Sequence, residues 1–177
     1  FNLLKDIYHI ADIVDTKRYY QQILDHTPWV FEGSSGHPEE TFKHWCFYPC
    51  DKDGHIFDVT SSIWEEIVDI IYADTGLSLE PHRRIINAYN HGDTSYGHID
   101  GHTWTVIAYM NPEWDMNWGG YTVLFDDNQE EIYKCVYPRP GSVLVFPGRI
   151  MHRPTAVERN APCPRIGLTF QCEVDNA

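Results

Sequence analysis

The sequence is poor in basic residues and in long apolar runs. It holds 13 Lys and Arg against 26 Asp and Glu, which gives a formal net charge of −13 at pH 7. Because clustered basic side chains are what bind a phosphate backbone, this balance argues against nonspecific binding to DNA or RNA. No apolar run approaches the roughly 20 residues that cross a bilayer, and the start of the chain lacks the layout of a secretory signal. We therefore expect neither a nucleic acid nor a membrane as partner.

Cysteine is scarce and shows no pairing pattern. The five cysteines form an odd set without a Cys-x-x-Cys pair, so neither a disulfide framework nor a thiolate zinc site is favoured. The plain interpretation is a reducing, cytoplasmic environment. Pro and Gly are scattered, and hydrophobic residues make up 42% of the 177 residues. We expect one globular domain over residues 1–177.

The first 80 residues are expected to be mostly helical and to support the remainder of the fold. A helix is predicted over Thr16 to His26. A stronger helix is predicted from Ser62, because Ser62-Ile-Trp-Glu65 has the form of a capping box. Ile63 and Ile67 then recur at helical spacing, and Gly76 provides a stop signal.

From about residue 85 the pattern changes to short runs rich in β-branched and aromatic residues, separated by Gly, Pro, Asn and Asp. No helical run interrupts them. This order predicts an α+β fold that is mainly β, an antiparallel double-sheet barrel or jelly roll over residues 85–174 backed by the helices. The predicted strands are Arg84 to Tyr89, Thr103 to Met110, Tyr121 to Phe125, Glu131 to Val136, Ser142 to Phe146 and Arg165 to Val174.

The pattern that points to chemistry is His98-Ile-Asp100, with His152 far downstream. In an extended segment, residues two apart point the same way, so a short stretch can deliver an imidazole and a carboxylate to one metal ion. A distant strand can supply the third ligand. Two His and one carboxylate on one face of an octahedron are typical of non-haem iron(II) oxygenases, because three positions stay open for a cosubstrate and oxygen. His-x-Asp alone is a weak motif, and an ordinary hydrogen-bonded pair on a strand is the alternative.

The downstream context is more specific. From about Ile85 to Glu173 the chain resembles the 2-oxoglutarate-dependent iron oxygenases, and within them the prolyl-hydroxylase group. One stretch, Ile107-Ala-Tyr-Met-Asn-Pro-Glu-Trp-Asp115, is similar to the corresponding stretch of the oxygen-sensing prolyl hydroxylases. The segments that carry the resemblance are Gly119-Gly120-Tyr-Thr-Val-Leu-Phe125, Pro140-Gly-Ser-Val-Leu-Val-Phe-Pro147, His152 and Arg165-Ile-Gly-Leu-Thr-Phe-Gln171.

The resemblance implies a double-stranded β-helix (jelly-roll or cupin-like) core and an enzyme that uses Fe(II), 2-oxoglutarate and O2, with ascorbate as an optional addition. Carried over by position, it makes His98, Asp100 and His152 the iron ligands and the catalytic residues. It makes Arg165 the ion-pair partner of the distal carboxylate of 2-oxoglutarate, and Tyr109 a hydrogen-bond partner of the same carboxylate. A guanidinium suits this role, because its planar fork of donors matches a carboxylate.

One position departs from the family pattern. Many relatives place Ser two residues after the arginine, where this chain has Gly167. A hydroxyl contact to the cosubstrate is therefore missing unless Thr169 or Tyr109 provides it. Strand parity puts Arg165, Gly167 and Thr169 on one face of their strand, which we expect to face the barrel interior.

For the substrate, the resemblance favours proline in a peptide or protein, with a free amino acid or another small molecule as alternatives. A second hypothesis is a nucleobase-oxidising dealkylase, because Arg165-Ile-Gly-Leu-Thr-Phe is also similar to that group, although Gln171 stands where those enzymes place a further Arg. A third is a noncatalytic metal-binding module. The sequence does not indicate the oligomeric state. Candidates to meet a substrate carboxylate are Arg139, Arg149 and Arg153.

Overall fold

Residues 3–175 are described by the structure, a computed structural model of the chain. Short 3₁₀ turns lie at Leu3–Lys5, Asp51–Asp53 and Met116–Trp118. The helices and strands, in chain order, are β1 (Tyr8–Ile10), α1 (Thr16–His26), β2 (Val30–Gly33), β3 (His44–Phe47), α2 (His55–Thr75), β4 (Leu79–Tyr89), β5 (Trp104–Tyr109), β6 (Thr122–Phe125), β7 (Ile132–Val136), β8 (Val143–Pro147), β9 (His152–Pro154) and β10 (Arg165–Val174).

The strands form two antiparallel sheets. The larger has the order β1-β8-β5-β10-β4-β3-β2, and the smaller has the order β7-β6-β9. Apolar side chains from the inner faces of both sheets form one cluster, in which Tyr109 and Phe146 of the larger sheet pack with Leu124 and Val136 of the smaller. The fold is a double-stranded β-helix, and the fold class predicted from the sequence is confirmed.

The helices cover the outer face of the larger sheet. Along β10, Ile166, Leu168 and Phe170 alternate towards this side and are fully buried. Trp64 of α2 packs on Phe170 with ring centroids 4.8 Å apart. Each such buried side chain contributes roughly 1.5–3 kcal/mol. The other alternate residues of β10, beginning with Arg165, face the space between the two sheets.

Helix α1 has the predicted bounds. Asp15 caps its N-terminus by accepting a hydrogen bond from the backbone N–H of Arg18. Tyr19 and Ile23 lie one turn apart and are buried in the core. Local propensity, cap and packing therefore agree for this helix.

Helix α2 begins at His55, seven residues before the predicted start at Ser62. The apolar stripe already includes Ile56 and Val59, which lead into Ile63 at helical spacing. The polar residues that suggested a cap lie inside the helix, and the hydroxyl of Ser61 donates to the carbonyl of Phe57. Ser62 and Glu65 lie within α2 and not at its N-terminus, so the capping-box interpretation was wrong.

The first 80 residues contain more β structure than predicted. Strand β1 pairs with β8, and the β2–β3 hairpin extends the larger sheet beyond β4. These strands span only three or four residues. Strand β2 exposes both Val30 and Phe31, so no alternation of buried and exposed positions marks β2 in the sequence. All five cysteines are free thiols. Within residues 3–175, no helix combines the length and the apolar character that crossing a bilayer would need.

Candidate functional site

The segment that carries His98 and Asp100 is joined to the segment that carries His152. The backbones of His98 and His152 exchange both N–H···O bonds, at 3.0 and 2.9 Å. The N–H of Asp100 donates to the carbonyl of Gly148 at 2.7 Å. A Cβ at Gly148 would lie 2.1 Å from the carbonyl oxygen of His102, so only glycine permits this close approach. The backbone pairing alone brings the two histidines side by side.

The three side chains converge. One possible ligand atom from each of His98, Asp100 and His152 lies within 4.8 Å of the other two, a spacing at which a single metal ion could be held. The Nε2 atom of His98 is 3.9 Å from Asp100 Oδ1, and the Nε2 atom of His152 is 3.7 Å from Asp100 Oδ2. The structure thus brings together the three residues singled out from the sequence.

Both imidazoles are oriented by backbone carbonyls. The Nδ1 of His98 lies 3.1 Å from the carbonyl oxygen of Tyr96, and the Nδ1 of His152 lies 2.9 Å from that of Ile150. A ring whose Nδ1–H donates to a carbonyl presents the lone pair of Nε2, as a metal ligand requires. Burial, and then the neighbouring His98, hold the pKa of His152 below its ordinary value. His152 is therefore neutral at pH 7.

Two neighbours that the sequence analysis did not select fix the carboxylate of Asp100. The hydroxyl of Thr105 donates to Asp100 Oδ2, and the amide of Gln171 donates to Asp100 Oδ1 at 2.9 Å. Gln171 shares the β10 parity of Arg165 and Thr169, so the alternation of that strand could have identified it. These contacts set the orientation in which the carboxylate meets the two imidazoles.

Arg165 lies at the start of β10 and is only 4% exposed. Its Nη2 donates to Thr122 Oγ1 at 3.1 Å, while its Nε has no hydrogen-bond partner. Its guanidinium carbon lies 5.3 Å from the ring centre of Tyr89 and 5.2 Å from that of Tyr109. No carboxylate among residues 3–175 forms an ion pair with it. A buried cation of this kind favours an anionic ligand.

The hydroxyl of Tyr109 lies 2.7 Å from Thr122 Oγ1, so Thr122 joins Tyr109 to Arg165. Thr122 was not selected from the sequence, although it lies only two residues after Gly120. Gly120 has a φ of +69°, and a Cβ there would lie 3.1 Å from Arg165 Cδ. Gly120 therefore leaves room for the arginine side chain.

A cavity of about 90 Å³ lies between the sheets and is lined by the three converging residues and by Arg165, Gly167 and Thr169. Tyr109 does not line it and is reached through Thr122. A Cβ at Gly167 would make only ordinary contacts, the nearest 3.5 Å from Arg165 Nη1. A second, more open cavity of about 620 Å³ adjoins the first, and His98 and Gln171 line both. The inner cavity thus opens towards the surface beside the three converging residues.

The three arginines proposed to meet a substrate carboxylate lie in different places. Arg153 lines the inner cavity. Arg139 pairs with Asp12 at 3.2 Å on the surface, and Arg149 lines a separate depression beside the β6–β7 hairpin. The structure thus leaves Arg153 as the candidate and separates the other two from the site.

Two histidines and a carboxylate that converge in this way are the arrangement associated with non-haem iron(II) oxygenases. Residues 85–171 match the family model of the 2OG-Fe(II) oxygenase superfamily. Over these residues, just under half of the chain, the sequence is similar to this superfamily, whose members use Fe(II), 2-oxoglutarate and O2.

Solved structures share the fold at low sequence identity. A prolyl hydroxylase from Trichoplax adhaerens, solved with a peptide fragment of the hypoxia inducible factor oxygen degradation domain, is 16% identical with a TM-score of 0.70, over 94% of this chain and 83% of that chain. A Pseudomonas putida prolyl-4-hydroxylase is 16% identical with a TM-score of 0.65, over 93% and 91%. A 2OG-Fe(II) oxygenase family oxidoreductase from Burkholderia pseudomallei is 14% identical with a TM-score of 0.72, over 98% and 88%. The sequence has no significant match among curated proteins.

Proposed function

We propose that this protein hydroxylates a C–H bond and that its substrate specificity is of the prolyl-hydroxylase type, towards a proline in a peptide or protein or towards a free amino acid. In this proposal His98, Asp100 and His152 bind Fe(II), and Arg165 binds the distal carboxylate of 2-oxoglutarate. The observation that carries the proposal is that a three-residue metal-ligand set lines one cavity together with a buried arginine that has no ion-pair partner among residues 3–175.

The ligand set fits Fe(II) on chemical grounds. Two imidazoles and one carboxylate bind through three positions and leave the remaining ones open. The hydrogen bonds from Thr105 and Gln171 hold the carboxylate, and backbone carbonyls hold both rings. Little reorganisation is then needed when the ion binds. With iron bound, 2-oxoglutarate and O2 supply the oxidising chemistry.

The other end of the cavity fits the cosubstrate. Arg165 has an unpaired Nε–H, and a carboxylate can accept from Nε and a terminal nitrogen together. Thr122 accepts from Arg165, so its own hydroxyl hydrogen can go to Tyr109, and Tyr109 supports the cosubstrate end of the cavity through Thr122. Thr169 lines the cavity on the same strand face. We propose that these residues select a diacid and exclude water from its far end.

The proposed prolyl-hydroxylase type of substrate specificity is supported by the family match and by structural neighbours that include prolyl hydroxylases. The dealkylase alternative is disfavoured by the net charge of −13 and by Gln171, whose amide is committed to Asp100. The noncatalytic alternative has a direct test. Anaerobic addition of Fe(II) and 2-oxoglutarate should give a weak visible charge-transfer band in an oxygenase, whereas a zinc-preferring binding module should not give one.

The proposal is tested with Asp100→Ala. This variant should abolish substrate-dependent succinate formation while the chain stays folded, as judged by circular dichroism. Asp127→Ala, at an exposed position of the β6–β7 hairpin, is the matched control and should keep wild-type turnover. Wild-type succinate formation by Asp100→Ala would refute the ligand assignment. The substrate is sought by mass spectrometry, as the gain of one oxygen in a panel of proline-containing peptides and free amino acids.

A further inference from the structure

Within residues 3–175, buried side-chain atoms without a hydrogen-bond partner belong to His44 (Nδ1), Ser95 (Oγ) and Arg165 (Nε). All three residues line the same inner cavity. A buried polar atom left unpaired is destabilising, and folded proteins contain few of them. Their grouping around one cavity indicates that a ligand completes them. The proposed cosubstrate accounts for Arg165 but not for the other two.

The imidazole of His44 is held rigidly. It is 4% exposed and stacks on Tyr89, with ring centroids 4.4 Å apart and an interplanar angle of 25°. On its other side the chain passes so close that a Cβ at Gly33 would lie 2.4 Å from His44 Nε2. Any residue larger than glycine at position 33 would displace the ring. The side chain therefore occupies a prepared position in the cavity wall.

The hydrogen bond of His44 fixes its tautomer. Its Nε2 lies 3.0 Å from Asn87 Oδ1, which can only accept, so Nε2 carries the hydrogen. Burial lowers the pKa of His44, which keeps the ring neutral at pH 7. In a neutral imidazole protonated on Nε2, the Nδ1 atom is an acceptor. The unpaired atom of His44 thus requires a donor.

The cosubstrate cannot supply that donor. At neutral pH 2-oxoglutarate has two carboxylates and a keto group, all acceptors, and no N–H or O–H. Of the reactants, only the molecule that is oxidised can therefore donate a hydrogen bond to Nδ1. A proline inside a peptide has no N–H of its own, so the donor there would be the amide of an adjacent residue. In a free amino acid it would be the amine.

We propose that His44, together with Ser95, is a substrate-recognition subsite that binds an N–H or O–H donor of the oxidised substrate through the acceptor Nδ1. This proposal rests on the proposed function and adds the hydrogen-bond character that the substrate must have. His44→Gln is the informative variant, because the Gln amide can still donate towards Asn87 but offers nothing at the position of Nδ1. His26→Gln, at an exposed position of α1, is the matched control.

The tautomer is tested without turnover. Histidine-selective ¹⁵N NMR of the metal-free protein, with His44 assigned by the signal lost in His44→Gln, should show a neutral ring protonated on Nε2 at pH 7. Addition of 2-oxoglutarate should not protonate Nδ1. A ring protonated on Nδ1, or on both nitrogens, would overturn the proposal.

Recognition is tested with the panel of peptides and free amino acids. For the substrate that gains oxygen, His44→Gln should raise KM roughly tenfold, the loss expected for one hydrogen bond. The dissociation constant of 2-oxoglutarate, read from the visible band, should stay within about twofold of wild type. Methylation of the donor nitrogen in the substrate should raise KM by a similar factor for the wild-type protein and leave the KM of His44→Gln almost unchanged. Which panel members respond distinguishes a peptide amide from a free amine.

The outcomes separate the two proposals. Absence of the visible band in the wild-type protein would refute the proposed function. A normal band with an unchanged substrate KM in His44→Gln, or with 2-oxoglutarate binding weakened in step with KM, would refute the subsite alone.

Discussion

Replacement of Arg165 by Met tests the cosubstrate end of the cavity most directly. Met fills a similar volume but removes the charge and every donor. Hydrogen bonds to charged groups contribute roughly 1.5–3 kcal/mol each, so the loss of a two-bond contact should weaken 2-oxoglutarate binding at least about 100-fold, at 1.36 kcal/mol for each factor of ten. The assay is an anaerobic titration of 2-oxoglutarate into the Fe(II)-loaded protein, followed by the visible band.

The same substitution should leave the metal-free fold intact. In the absence of a ligand, Arg165 is a buried cation with an unpaired Nε, and exchange of such a charge for an apolar side chain of similar volume is often neutral or stabilising. The melting temperature should therefore stay level or rise while cosubstrate binding is lost. Arg149→Met, at an exposed arginine away from the cavity, should change neither quantity. Wild-type 2-oxoglutarate affinity in Arg165→Met would remove Arg165 from the site and contradict the reasoning.

Three further outcomes are expected. Gln171→Leu removes the amide that orients the carboxylate of Asp100, so Fe(II) affinity, measured by competition with a chromogenic chelator, should fall about 10–100-fold. Unchanged affinity would show that Gln171 does not position this carboxylate. Thr122→Val keeps the side-chain shape but unlinks the arginine from the buried tyrosine, and should raise the 2-oxoglutarate KM roughly tenfold with little change in kcat. Because burial lowers the pKa of His9, His44 and His152, the unfolded chain takes up protons below about pH 6.5 that the folded chain does not. The melting temperature of the metal-free protein should therefore decrease from pH 7 to pH 5, and a constant value would contradict this.

The sequence predicted most of the β core, because its strands are runs of β-branched and aromatic residues between Gly, Pro, Asn and Asp. Strand β4 begins at Leu79, before the predicted Arg84, and the three-residue strand β9 was not predicted. The predicted Arg165 to Val174 run has the bounds of β10, and its parity placed Arg165, Gly167 and Thr169 on the cavity side. The His-x-Asp spacing likewise places His98 and Asp100 together, because it depends only on the two-residue repeat of extended backbone. These features are local, and local patterns are visible in a single sequence.

The features that the sequence did not reveal depend on tertiary contacts. Strand β2 exposes its apolar residues and is held in place by pairing with β3. Its sequence therefore shows no periodic pattern of apolar residues. Thr122 and Gln171 belong to ordinary residue types, and their roles appear only when β6 and β10 face each other across the cavity. His44 was not distinguishable from the other nine histidines, because its unpaired nitrogen is a property of the folded cavity wall.

The placement of the metal-ligand set across two layers has a mechanical consequence. His152 belongs to the smaller sheet, whereas Asp100 is tied by Thr105 and Gln171 to β5 and β10 of the larger sheet. An ion bound by both would act as a cross-link that clamps the layers at one end of the barrel. Loss of the ion would remove that cross-link, and amide hydrogen exchange in β6 and β9 would then report metal occupancy.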